Sequence, residues 1–252
     1  MKILLTNDDG ILAQGLWALH RALKSDHEVV VVAPERERSA VGHGITLHKP
    51  LRVHKVDING ESGWSVNGTP ADCVKIALVE LLDGRPDMVI SGINPGANVG
   101  VNLNYSGTVA AAKEAALYRV PAMAVSIQSA DDPSFDRAAR YIAGLARLVK
   151  SRGLPPGVFL NINIPNLVPN QAPGIKITHQ GSDLYDEYFE KRRDPRNRVY
   201  YWQGFETLPT YSHSDADGAA LAAGYISITP VQCDLTDYTM AEKMRSWNFE
   251  FR

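Results

Sequence analysis

Apolar residues fall in two rhythms along this chain. Up to about residue 165, short continuous apolar runs alternate with stretches in which apolar positions recur every three or four residues. "KILLTN" (2–7), "HEVVVVAP" (27–34), "PDMVISG" (86–92), "PAMAVSIQ" (121–128) and "VFLNINIP" (158–165) are runs of the first kind. Continuous β-branched runs of this length suit strands buried on both faces of a parallel sheet. Between them lie helical patterns. "GLWALHRALKS" spaces Leu16, Leu19 and Leu23, and "SFDRAARYIAGLARLVKSRG" lines Phe135, Ala138, Ala139, Ile142, Ala146 and Val149 along one face. "TPADCVKIALVELLDG" and "TVAAAKEAALYR" are two more helices, the former announced by Thr69 as N-cap, Pro70 at the first helical position and Asp72 in the first turn. "LRVHKV" and "GWSV" precede "TPADCVKIALVELLDG" in the chain. Strand and helix in alternation predict a doubly wound α/β fold with a mostly parallel sheet.

The rhythm changes after about residue 175. "GIKITHQ" and "RVYYWQG" are strand-like and enclose the charged stretch "DEYFEKRRDPRNR". On pattern alone this is a solvated excursion, or else an extended hairpin packing on something other than its own core. "GYISITPV" (224–231) reads as a further strand and "MAEKMRSW" as a short terminal helix. No repeat, linker or low-complexity tract interrupts the 252 residues, so a single domain is expected.

Composition narrows the function classes. A formal net charge of −2 gives no reason to expect nucleic acid or an anionic membrane as partner. Two cysteines, Cys73 and Cys233, are too few for a disulfide framework and fit a reducing compartment. The first strand begins at Lys2 without a leader-like apolar segment, and no run approaches the roughly 18 residues of a membrane span. A cytoplasmic protein is the expectation.

Chemistry is expected beyond the carboxyl ends of the strands, where open parallel sheets bind ligands. Asn7-Asp8-Asp9-Gly10 follows the first strand, and adjacent carboxylates at a buried strand end repel each other. As a turn the sequence needs only one Asp; a hard divalent cation would cancel the repulsion, with Ser39 and Asn94 from neighbouring strand ends as neutral oxygen ligands. His and Cys are too scarce in these loops for zinc. "INPGANVGVNLNYSGT" is too long for a routine connection and uncharged throughout. It delivers Ser106, Gly107 and Thr108 to the mouth of a helix, where free N–H groups and the positive dipole end favour an anion. Cation and cradle together suit a phosphate ester. His43 reads as a surface histidine on a glycine-flanked loop.

These residues resemble the SurE survival-protein family of metal-dependent nucleotidases and phosphatases. The resemblance rests on "ILLTNDDG", Ser39, "VNGTPADCV", "SGIN…GAN", "YSGTVAAAKEA" and "GYISITPVQCDLTD", spread from residue 3 to about 237. It implies a Rossmann-like core, about 1–175 plus 224–231, one divalent ion per subunit (Mg²⁺, Mn²⁺ or similar), and hydrolysis of nucleoside monophosphates. Asp8, Asp9, Ser39 and Asn94 match the metal ligands; Asn98, Ser106, Gly107 and Thr108 match the phosphate contacts. It also implies a homodimer or homotetramer, with a hairpin arm at about 176–206 and a tail at about 232–252 used in assembly. The long loop, with Pro95 and no acidic pair before Tyr105, departs from the commoner family pattern, as does the missing arginine after Gly181.

In this reading Asp8 accepts the proton of the attacking water, or attacks phosphorus itself, and Asp9 holds the cation. Other readings fit less well. A dinucleotide binder would want Gly-x-Gly-x-x-Gly after the first strand, and a haloacid-dehalogenase-like phosphatase Asp-x-Asp. A non-catalytic nucleotide sensor on the same fold stays open as the alternative.

Overall fold

The computed structural model describes residues 1–128, 134–167, 172–183, 187–205 and 211–250. Its centre is a run of six parallel strands. In chain order these are β1 (Lys2–Thr6), β2 (Glu28–Pro34), β4 (Glu61–Val66), β5 (Met88–Pro95), β6 (Ala122–Ile127) and β7 (Val158–Ile164); β3 (Val53–Ile58) pairs antiparallel with β4 at one edge. At the other edge β11 (Ile226–Gln232) runs antiparallel to β7 and carries β8 (Ile175–Ile177) outside it. The nine-stranded order is β3-β4-β2-β1-β5-β6-β7-β11-β8.

Helices cover both faces because β1 and its neighbours are apolar on both. Ile3, Leu5, Met88, Ile90, Met123 and Val125 pack with α1 (Gln14–Leu23) and α4 (Phe135–Arg152). Leu4, Val32, Val89, Ala122, Ala124 and Phe159 pack with α2 (Pro70–Ile76) and α3 (Gly107–Leu117). Adjacent strand residues thus enter opposite cores, as the two-residue strand period requires. Each fully buried Leu or Ile contributes roughly 1.5–3 kcal/mol. The sheet is wound to one side from β1 to β2 and to the other through β5, so the topological switch lies beside β1, where ligands of such folds sit.

The predicted α/β architecture is the observed one, with four differences. The helix beginning at Pro70 changes to a π-helical turn over Ala77–Leu81. β5 reaches Pro95 because its register against β6 shifts between Ser91 and Asn94, letting Asn94 and Pro95 re-pair with Ser126 and Ile127. Ile175–Ile177 of "GIKITHQ", read as one side of an arm, lies in the main sheet as β8; within the charged stretch, β9 (Glu187–Arg193) forms a two-stranded antiparallel ribbon with β10 (Val199–Phe205). A short helix, α5 (Asp217–Ala222), precedes β11; the expected terminal helix is present as α6 (Tyr238–Met244), beginning two residues before "MAEKMRSW". Tyr201 and Trp202 on the ribbon are 58% and 59% exposed, which leaves an aromatic surface on an element outside the core. No described helix is long and apolar enough to cross a membrane.

Candidate active site

Asn7 shapes the turn that ends β1. Its amide nitrogen donates to Gly10 O at 3.0 Å and its amide oxygen accepts from Gly10 N–H at 3.2 Å, closing the turn around the two acids between them. Arg38 N–H donates to Asp8 O at 2.7 Å, stitching the loop after β2 to this turn. That loop is pinned again at α2. Thr69 and Asp72 form a capping box, and the second Asp72 oxygen accepts from Thr46 N–H at 3.0 Å. Burial acts against Asp72 ionisation, yet the hydrogen bonds from Thr46 and Thr69 outweigh it and hold its pKa below the ordinary value. The predicted helix start is therefore also an anchor for the loop bearing Ser39.

Asp8 is 5% exposed and faces the mouth of α3. Thr108 Oγ1 donates to Asp8 Oδ1 at 2.5 Å, and Thr108 N–H adds a backbone hydrogen bond. A Cβ built on Gly107 would stand 2.8 Å from Asp8 Cβ and 3.0 Å from Asp8 Oδ2, so only glycine lets the carboxylate approach this closely. Burial pushes the Asp8 pKa up, although the Thr108 bonds oppose it. Asp9 is pushed to about 7, first by burial and then by the neighbouring Asp8 and Glu37 charges. Asp9 Oδ2 is buried without a hydrogen-bond partner. Two acids that the fold makes hard to ionise, one of them with an orphaned oxygen, form a donor set suited to a hard divalent cation. Among the described residues no group of three or more His, Cys, Asp or Glu side chains is arranged so that it could hold a metal ion, so a cation here would rely on the two carboxylates and neutral oxygens.

The other predicted residues lie around the same sheet edge. Ser39 is exposed, and its hydroxyl donates to Glu37 Oε1 at 2.6 Å; Glu37 in turn is the acid whose charge reaches both Asp8 and Asp9. Asn94 uses its amide nitrogen on Gly96 O at 2.7 Å, which leaves the amide oxygen as its ligand atom. Ser106 caps α3, accepting from Val109 N–H at 3.2 Å. Thr108 is fully buried, and both its hydroxyl hydrogen and its N–H are directed to Asp8. Asn98 is held in a polar network. Its side chain donates to Ser126 Oγ at 2.8 Å, its N–H to Asn163 Oδ1 at 2.8 Å, and its carbonyl accepts from Asn161 and Asn163.

Sequence reasoning passed over Glu37, Asn161 and Asn163. The two asparagines were visible as amides two positions apart in the otherwise apolar "VFLNINI", a spacing that puts both on one face of a strand. His43 is also better placed than its glycine-rich surroundings indicate. Its Nε2 lies 2.7 Å from Glu114 Oε2 on α3, with Lys75 Nζ 3.5 Å from the other oxygen. Burial acts against Glu114 ionisation, but the His43 hydrogen bond and the Lys75 charge more than offset it and lower its pKa.

The profile of the family described as Survival protein SurE matches residues 3–187. This chain belongs to the SurE family. It is 53% identical to the "5'-nucleotidase SurE" of Desulfatibacillum aliphaticivorans over 99% of both chains. The protein of that name from Syntrophobacter fumaroxidans is 51% identical, over 98% of this chain and all of the other. Among solved structures, the SurE protein from Aquifex aeolicus superposes with a TM-score of 0.86 at 39% identity, covering 97% of this chain and 98% of that one. The SurE likeness extends over the edge where Asp8, Asp9 and the mouth of α3 meet.

Proposed function

We propose that this chain is a metal-dependent 5′-nucleotidase that hydrolyses nucleoside monophosphates to nucleoside and inorganic phosphate. The observation that carries the reading is the meeting of Asp8, with Asp9 beside it, with Gly107 and Thr108 at the sheet's switch point. Membership of SurE and full-length likeness to proteins named 5'-nucleotidase SurE support it.

Asp8, Asp9, Ser39 and Asn94 would hold one divalent ion, which when bound supplies positive charge to the phosphoryl oxygens. The chain's own groups do the rest. Gly107, at the helix mouth beneath Ser106, presents backbone N–H toward the phosphate, and Asn98 supplies an amide from the facing loop. Thr108 keeps Asp8 Oδ1 occupied and so fixes Oδ2 as the proton acceptor. Water attacks phosphorus in line with the ester oxygen; one of its protons goes to Asp8 Oδ2, the P–O bond to the nucleoside breaks, the leaving oxygen takes a proton from solvent, and Asp8 returns its own proton to solvent. Positioning and charge stabilisation dominate such a reaction.

Asp8→Asn should abolish phosphate release from 5′-AMP and p-nitrophenyl phosphate with the circular-dichroism spectrum unchanged. EDTA should stop the wild type, and Mg²⁺ or Mn²⁺ should restore it. Turnover that survives EDTA would count against the cation, and wild-type turnover by Asp8→Asn against the mechanism.

The ribbon β9–β10, with Tyr201 and Trp202 outside the core, supports a homo-oligomer built through this arm and the tail. The unpaired Cys73 and Cys233 support a reducing, cytoplasmic setting.

A further inference from the structure

We propose that Asp217 is a positioning residue for the phosphate-side loop, a clamp that fixes the backbone between Asn98 and Gly107. Asp217 opens α5, far in sequence from Asp8, Asn98 and Gly107, and is 0% exposed. Its carboxylate collects three backbone N–H donors from three places in the fold. Oδ2 accepts from Gly100 at 2.9 Å; Oδ1 accepts from Gly181 at 3.0 Å and from Gly218 at 2.8 Å. No salt bridge to it occurs among the described residues. A buried carboxylate is costly to desolvate, and here convergent N–H groups supply what a cation would elsewhere.

The clamp grips Gly100 twice. While Asp217 takes its N–H, Gln180 Nε2 donates to its carbonyl at 2.9 Å. Gly100 adopts φ +57°, and a Cβ there would lie 3.4 Å from Gly181 O, so the loop meets the 180–181 segment backbone to backbone. That segment is itself anchored. Thr178 N–H donates to Ile228 O, and Asp217 N–H to His179 O at 2.9 Å, tying it to β11 and α5. Two residues before Gly100, Asn98 is fixed by Ser126, Asn161 and Asn163. From Gly100 the chain makes a 3₁₀ turn to Asn104 and enters α3 through Ser106 and Gly107. A shift at Gly100 is therefore delivered to the groups that face Asp8 and the ester.

A carboxylate is required because three donors converge on it. Asparagine offers one oxygen and turns an NH₂ toward backbone N–H groups, leaving at least one buried donor unpaired.

The inference rests on the phosphatase reading for its kinetic half only. In Asp217→Asn, still folded at the assay temperature, kcat for p-nitrophenyl phosphate should fall about 10- to 100-fold, since displacement of about 1 Å at a site can have that effect. Competitive inhibition by inorganic phosphate should weaken in parallel. The Mn²⁺ concentration for half-activation should stay the same, because Asp8 and Asp9 stand in the turn after β1 and not on the clamped loop; a general loss of structure would move all three. Gly100→Ala, which strains the same joint but keeps the carboxylate, should reproduce this split. Amide hydrogen exchange gives a reading independent of turnover: protection over residues 99–107 should drop at least about tenfold in either variant, with α4 unaffected. Unchanged protection in folded Asp217→Asn, or in Gly100→Ala where the first variant does not fold, overturns the clamp. A wild type that releases no phosphate overturns the functional reading instead, and exchange still decides the clamp.

Discussion

Thr108 donates its hydroxyl hydrogen to Asp8 Oδ1 at 2.5 Å, joining residues 100 positions apart in the chain. The bond ties the end of β1 to the mouth of α3 and sets which Asp8 oxygen is free. Thr108→Val removes the donor while conserving shape. A hydrogen bond to a charged group contributes about 1.5–3 kcal/mol, so kcat should fall about 10- to 100-fold. The bond also lowers the Asp8 pKa, so losing it should move the acid limb of the pH–rate profile to higher pH. Thr108→Ser should restore both rate and limb. An unmoved limb in the valine variant would show that Asp8 is not the titrating base.

Asp9 gives a stability prediction whose sign follows from linkage. Its folded pKa is about 7 in the absence of a cation, against an ordinary 3.8. Between those values the folded chain binds more protons than the unfolded one, so in EDTA this group's contribution is present at low pH and lost as pH rises toward 7. Asp9→Asn in EDTA at pH 8 should therefore be more stable than wild type by about 1–3 kcal/mol, read by urea unfolding, and should lose the stabilisation by Mn²⁺. For wild type the Mn²⁺-induced rise in Tm should be larger at pH 8 than at pH 5.5, because protons compete with the cation. Equal rises at the two pH values would contradict this.

Gly107→Ala places a methyl 2.8 Å from Asp8 Cβ. Overpacking of this kind displaces what it touches and destabilises by about 1–3 kcal/mol. Since what moves is Asp8, turnover should fall far more than stability: about 100-fold or more in kcat/KM, with a Tm loss of only a few degrees. Comparison of p-nitrophenyl phosphate kinetics with thermal unfolding checks the ratio.

The ribbon predicts an assembly state. Trp202→Glu with Tyr201→Glu puts charge on two side chains that are more than half exposed and outside the core. Monomer stability should be nearly unchanged, while light scattering coupled to size exclusion should show a smaller species than wild type. A wild type that is already monomeric would remove the arm's assembly role.

The sequence made the centre of this molecule legible for a local reason. β1, β2, β5, β6 and β7 are mainly apolar runs, and two of the helices between them, α2 and α3, carry their own side-chain caps, so there period and punctuation coincide. Asp8 and Asp9 stood out because like charges are costly side by side. What stayed hidden depends on contacts between distant segments. Nothing near "DGAALA" announces that Asp217 reaches Gly100, and Thr108 gives no local sign that its hydroxyl serves an acid rather than a ligand. "GIKITHQ" joins the sheet through β11, about 50 residues later, and no window of pattern contains that pairing. The change of register in β5 likewise arises only against β6.

Glu37 completes a patch of three acids at one strand edge, with Asp8 and Asp9. A phosphate monoester that drifts toward the bare patch is repelled before it can settle. In the proposed phosphatase, loss of the ion would therefore weaken substrate binding as well as turnover.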